Sequence, residues 1–299
     1  MSKLTRRKLV LLLMSLALLV AALVWVLNSN ISQQTTPEYQ QERLLRFSYE
    51  ITNQNSVAIK NAKFSSYFPI EQMPSQLTKQ VNTVNQYSLQ KSDLGNQVAH
   101  FDLGFIPPYG KKIIKFTATI KTALEPNYLE SSDQGLYLAA EQYIEKDAPE
   151  IKEVAETLKA KKDKDTVKNI YQWASNRIKY AGYVSSDKGA LFAIKNLSGD
   201  CTEYMYAVIA LARALDIPAR GIGGYVYPNN AIVSPSDYHN WAEVYFDGRW
   251  HIVDAQKKSF SENNTDYIAM RILSDTSNSL LGSSHRFSTA DDHLTVKMN

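Results

Sequence analysis

The longest apolar run, residues 9–27 (LVLLLMSLALLVAALVWVL), carries no charge and offers no polar face. That pattern predicts a membrane-spanning helix, and nineteen residues are long enough to cross a bilayer. The run exceeds a signal-peptide core and ends without an obvious small-x-small cleavage site, so an uncleaved signal anchor is expected. Residues 28–39 are polar and read as a linker. From 40 to 125 the pattern changes to short β-rich runs, at 44–51, 57–60, 62–68, 86–89, 98–103 and 112–120. Turn signals such as Asn53-Gln54-Asn55 and Pro107-Pro108-Tyr109-Gly110 separate them, which predicts a β-sandwich.

After Glu125-Pro126-Asn127 the period lengthens. Asp147-Ala148-Pro149-Glu150 reads as a helix start, followed by a stripe of Ile151, Val154, Ala155 and Leu158. A second stripe comprises Val167, Ile170, Tyr171, Ala174 and Ile178, with Trp173 beside it as a packing residue. Between them, the charge run at 159–164 reads as a solvated helix end. A short helix is expected at 191–196. A longer one opens at Cys201, with Met205, Val208, Ile209, Ala212 and Leu215 on one face, and stops at Ile217-Pro218. Strands are expected at 220–227, at 236–246 and, after the Asp247-Gly248 turn, at 249–254. Residues 267–273 and 294–298 should add closing strands, with His285 on a loop between them.

Charge refines the picture at one end. The formal net charge is +3, but Lys3, Arg6, Arg7 and Lys8 supply four bases ahead of the apolar run. Without them 29 basic residues face 30 acidic ones, a net charge of −1, so no electrostatic case for nucleic acid remains. The basic tail, residues 1–8, should stay in the cytoplasm. Everything after residue 27 then belongs on the extracytoplasmic side of a single-pass protein.

The candidate chemistry centres on the only cysteine, Cys201. It follows Ser198-Gly199-Asp200 and opens a helix, where unpaired N–H groups and the helix dipole favour an anion. A thiolate is such an anion and is the reactive form of cysteine. His239, Trp241 and Glu243 alternate along one strand face, and Asp254 lies near the end of the returning strand. A hairpin would bring His239 and Asp254 together. Packed against the Cys201 helix, they would supply nucleophile, base and orienter in that order.

Gly-Asp-Cys opening a helix that ends Ile-Pro-Ala-Arg, then His-x-Trp-x-Glu-Val-Tyr, then Trp-x-x-x-Asp, resembles the transglutaminase-like superfamily. The motifs lie in order, 38 residues from Cys201 to His239 and 15 from His239 to Asp254. The resemblance covers about residues 149–254. It implies an α+β, papain-like catalytic domain at 126–299, behind an Ig-like β-sandwich at 40–125 and an N-terminal transmembrane helix. It also implies Cys201 as nucleophile, His239 as base and Asp254 as orienter. The sandwich is similar to the module often found ahead of bacterial transglutaminase-like domains, and a spacer role is favoured for it.

The expected activity is that of a membrane-anchored thiol hydrolase or acyltransferase. It would cleave or transfer an amide or acyl group through a cysteine thioester, on a protein or peptide substrate of the cell envelope. Hydrolysis is preferred to amine transfer. An inactive envelope binding module or scaffold is the alternative, and a small acyl-donor substrate a lesser one. The backbone N–H of Cys201 is the first oxyanion donor, and Tyr180 is the candidate second. No cofactor or metal is called for: no acid run has EF-hand spacing, and a zinc site built of Cys201, His239 and Asp254 is disfavoured by the helix-start cysteine. Glu243 is a second candidate acid. His251 should be peripheral, and His100 an ordinary strand histidine.

Overall fold

A computed structural model describes residues 37–129, 134–183, 186–273, 279–282 and 286–299. The expected anchor at 9–27 and His285 lie outside the described residues. Among the described residues no helix is long and apolar enough to cross a membrane. Residues 38–299 form one compact unit.

Its first half is a two-sheet sandwich. One sheet contains β1 (Gln41–Asn53), β3 (Gln72–Met73), β4 (Gln76–Asn82) and β7 (Lys111–Thr122); the other contains β2 (Ile59–Phe68), β5 (Ser88–Lys91) and β6 (Gln97–Ile106). The strands form because their apolar residues alternate and meet in register. Phe47 lies opposite Phe116, with ring centroids 4.8 Å apart, and Phe64 lies opposite Phe101. Such cross-strand pairs are the unit of sheet stability.

The second half carries α1 (Pro149–Leu158), α2 (Asp163–Arg177), β8 (Lys179–Tyr180), α3 (Gly189–Asn196), β9 (Ser198–Gly199) and α4 (Cys201–Ala214). A five-stranded sheet follows, built of β10 (Ala219–Val226), β12 (Tyr238–Phe246), β13 (Arg249–Asp254), β14 (Ser259–Phe260) and β15 (Tyr267–Ile272), in the order β14-β13-β12-β10-β15. Asp247 and Gly248 both take positive φ, +49° and +76°, as a tight hairpin turn between β12 and β13 requires. Ala242, Val244, Phe246 and Val253 of the sheet share a core with the four helices. Ile222, Trp241 and Ile252 are buried instead against Ile70 and Met73 from the sandwich half.

Strand pairing crosses residue 126. β11 (Ala231–Ile232) runs parallel to β1, β16 (Phe287–Thr289) pairs with β2, and β17 (Leu294–Met298) pairs with β1. The C-terminal strand therefore closes the sandwich, whereas β15 closes the five-stranded sheet. Tyr225, Tyr227, Val233, Ile268 and Met270 share one core with the sandwich residues Leu45, Phe47 and Phe116. The two halves thus bury apolar surface against each other.

Candidate active site

Cys201 is the first residue of α4, and its setting follows from the local sequence. The Asp200 carboxylate caps the helix by accepting from the Thr202 N–H at 2.8 Å. Glu203 reaches back and accepts from the Asp200 N–H at 3.0 Å, which completes a capping box. The other Glu203 oxygen accepts from the Lys188 N–H at 3.0 Å. Burial pushes the Glu203 carboxyl above its usual range, against the pull of these backbone donors. Thr202 and Glu203 are buried, while Cys201 keeps partial exposure. The result is a capped helix start with a partly exposed Cys201 at the positive end of the dipole.

β12 supplies the imidazole and β13 the carboxylate. His239 Nε2 lies 2.7 Å from Asp254 Oδ2, and both residues are buried. The Cys201 side chain also acts on the His239 ring, and with Nε2 spent on Asp254, Nδ1 is the nitrogen left for the sulfur. Burial works against charge on the ring. The hydrogen bonds to Asp254 and Cys201 and the negative field of both outweigh it and raise the His239 pKa to about 9. The structure thus brings Cys201, His239 and Asp254 together in the order the motifs suggested.

Further contacts complete the cluster; of these only the position of Trp241, on the His239 face, is legible in the spacing. Tyr267 donates its hydroxyl to Asp254 Oδ2 at 3.0 Å, and the Lys257 N–H donates to Oδ1 at 2.9 Å. Trp241 lies nearly parallel to the His239 ring, at 19° and 6.5 Å between centroids, and meets Tyr267 edge-on at 5.1 Å.

Other candidates go elsewhere. Glu243 accepts two bonds from Arg220, at 2.9 and 2.7 Å, in a buried pair under Trp250, so it is not a spare acid. His251 stacks on Phe246 at 3.8 Å and meets Ser261, and burial lowers its pKa to about 4. His100 is shared between Ser65 and Gln90. Tyr180 sits opposite Gly199 in the parallel β8–β9 pair, beside the Cys201 turn, with its side chain 57% exposed.

The sequence model of the Transglutaminase-like superfamily matches residues 152–255. Residues 152–255 are a transglutaminase-like domain. The match ends one residue past Asp254 and so leaves out both Tyr267 and the sandwich. Among solved structures, a "putative cysteine protease" from Cytophaga hutchinsonii superposes with a TM-score of 0.59 at 20% identity, over 87% of this chain and 91% of its own. At that identity the likeness shows the fold alone, but it extends the shared fold across both halves. The periplasmic domain of TgpA from Pseudomonas aeruginosa aligns at 14% identity and a TM-score of 0.38, over 71% of this chain and 88% of that one. Red sea bream transglutaminase aligns at 9% identity and 0.29, over 79% and 48%. No curated protein matches the chain.

Proposed function

We propose that this protein is a thiol enzyme that breaks an amide or related acyl bond through a thioester on Cys201. The observation that carries the reading is the placement of His239 between the sulfur and Asp254, with the ring's pKa raised to about 9. His239 takes the thiol proton, and Asp254 holds the resulting imidazolium in place. The sulfur attacks the carbonyl carbon. The carbonyl oxygen, now negative, is met by the Cys201 N–H, one of the helix-start donors that no intrahelical acceptor satisfies. Tyr180, beside the same turn, is proposed as the second donor. His239 then returns the proton to the leaving amine, and the C–N bond breaks. Water, activated by the same ring, attacks the thioester and frees the acid. Transfer to an amine would follow the same steps with a different second nucleophile.

The proposed substrate is a protein or peptide of the cell envelope. The charge-free run at 9–27 and the basic residues before it support placement on the outer side of the membrane. The test is intact mass after acid quench, using peptide amides and activated acyl donors. An acyl adduct on the wild-type protein that is absent from Cys201→Ala supports the thioester. An adduct that persists in Cys201→Ala, or none with any acyl donor, overturns it.

A further inference from the structure

Tyr267 stands on β15, outside the matched segment, and its hydroxyl shares Asp254 Oδ2 with His239. From this we infer that Tyr267 is a positioning residue for the Cys201–His239 pair, one that fixes the Asp254 carboxylate and tempers its hold on the imidazole proton. The inference rests on the thiol chemistry proposed above.

The geometry supports both halves of that statement. Oδ1 is held by the Lys257 N–H and Oδ2 by two donors, so the carboxylate cannot turn about its own bond without losing a contact. The imidazole that leans on it is therefore fixed in plane and direction. A neutral donor on Oδ2 also draws negative charge away from His239. A hydrogen bond to a carboxylate's charged form weakens it as a base. Burial, first, and the Asp254 charge, second, raise the Tyr267 pKa, so the phenol stays a donor through the working range.

The tyrosine is itself anchored. Trp241 packs edge-on against its ring. Just ahead of it, Arg43 of β1 donates to the Thr265 carbonyl at 3.1 Å, to the Thr265 hydroxyl at 3.3 Å and to the Asp266 carboxylate at 3.0 Å. The sandwich thus braces the strand that braces the triad. The groups that bear on the titration are few. Cys201 and Asp254 act on His239. Tyr267 meets Asp254 directly, with Ser259 and the Arg43-paired Asp266 beside the phenol, and Tyr171 of α2 feels the Asp254 charge.

The test is an NMR titration of the His239 ring in the full chain. Three proteins are compared: wild type, Tyr267→Phe, and a protein with an ortho-fluorinated tyrosine at 267. Removing the donor should move the His239 midpoint up by about half a pH unit or more. The fluorinated phenol, a stronger donor, should move it down. Unchanged midpoints, or two shifts of the same sign, overturn the inference, because a merely structural role would not give opposite shifts. Should Tyr267→Phe fail to fold, the fluorinated protein, which keeps ring and hydroxyl, decides by its downward shift or the lack of one. The thiol reading fails separately, on the absence of a Cys201 adduct, while the midpoints still report on Tyr267.

Discussion

The Asn240 side-chain amide donates to the Thr202 hydroxyl at 2.9 Å, and both residues are buried. This contact ties the first turn of α4 to the strand position next to His239. It therefore sets the distance between sulfur and ring from the residues on either side of them.

Thr202→Val keeps the shape and removes the acceptor. Asn240 Oδ1 already has no partner, so the variant leaves the whole buried amide unpaired. The expected cost is about 1–3 kcal/mol of stability, together with slower alkylation of Cys201. Urea unfolding and iodoacetamide kinetics check both; loss of stability with an unchanged alkylation rate would mean that the contact does not set the pair.

His239 also makes stability depend on pH. Its folded pKa, about 9, lies above the usual 6.5. A group raised in this way stabilises the fold fully below about pH 6.5, and that contribution disappears as pH climbs through about 9. The stability gap between wild type and His239→Gln should therefore narrow by on the order of 3 kcal/mol between pH 6 and pH 10. Denaturant melts at the two pH values measure it, and a constant gap would contradict the raised pKa.

Gly224 lies directly opposite His239 on β10. A Cβ there would overlap the Ile268 carbonyl oxygen and sit 2.9 Å from the Trp241 ring. Gly224→Ala should cost about 1–3 kcal/mol by overpacking and displace β15, with Tyr267 on it. A lowered Tm with a shifted His239 resonance is the expected pair of results.

The shared core makes a prediction about dissection. A chain lacking residues 40–125 would expose Tyr225, Tyr227, Ile268 and Met270, which are buried among sandwich residues. It should lack near-ultraviolet circular dichroism and aggregate. Arg43→Ala, a milder cut at the same junction, should fold, lose about 1–3 kcal/mol with its bonds to Thr265 and Asp266, and react more slowly at Cys201.

The parts of this architecture that were legible in the sequence are those fixed by local rules. The apolar stripe from Met205 to Leu215 announces the helix that opens at Cys201, Asp247-Gly248 announces the β12–β13 hairpin, and alternation places His239 and Trp241 on one face. Long-range pairing left no such mark. Residues 294–298 read as a closing strand, but nothing local says that the strand closes the sandwich rather than the five-stranded sheet. Glu243 looked like a spare acid because its partner, Arg220, is set by the β10–β12 register. Tyr267 was missed for the same reason: its signal is a tyrosine at the start of a strand, and its meaning comes only from a neighbour 13 residues earlier.

The central claim is that His239 acts as the base for Cys201. Because Cys201 is the chain's only cysteine, alkylation by iodoacetamide reports on that sulfur alone. An ordinary thiol, with a pKa near ~8.5, is less than about 1% thiolate at pH 6. The account predicts that at pH 6 the wild type is alkylated at least about tenfold faster than His239→Ala. Equal rates in the two proteins would contradict it.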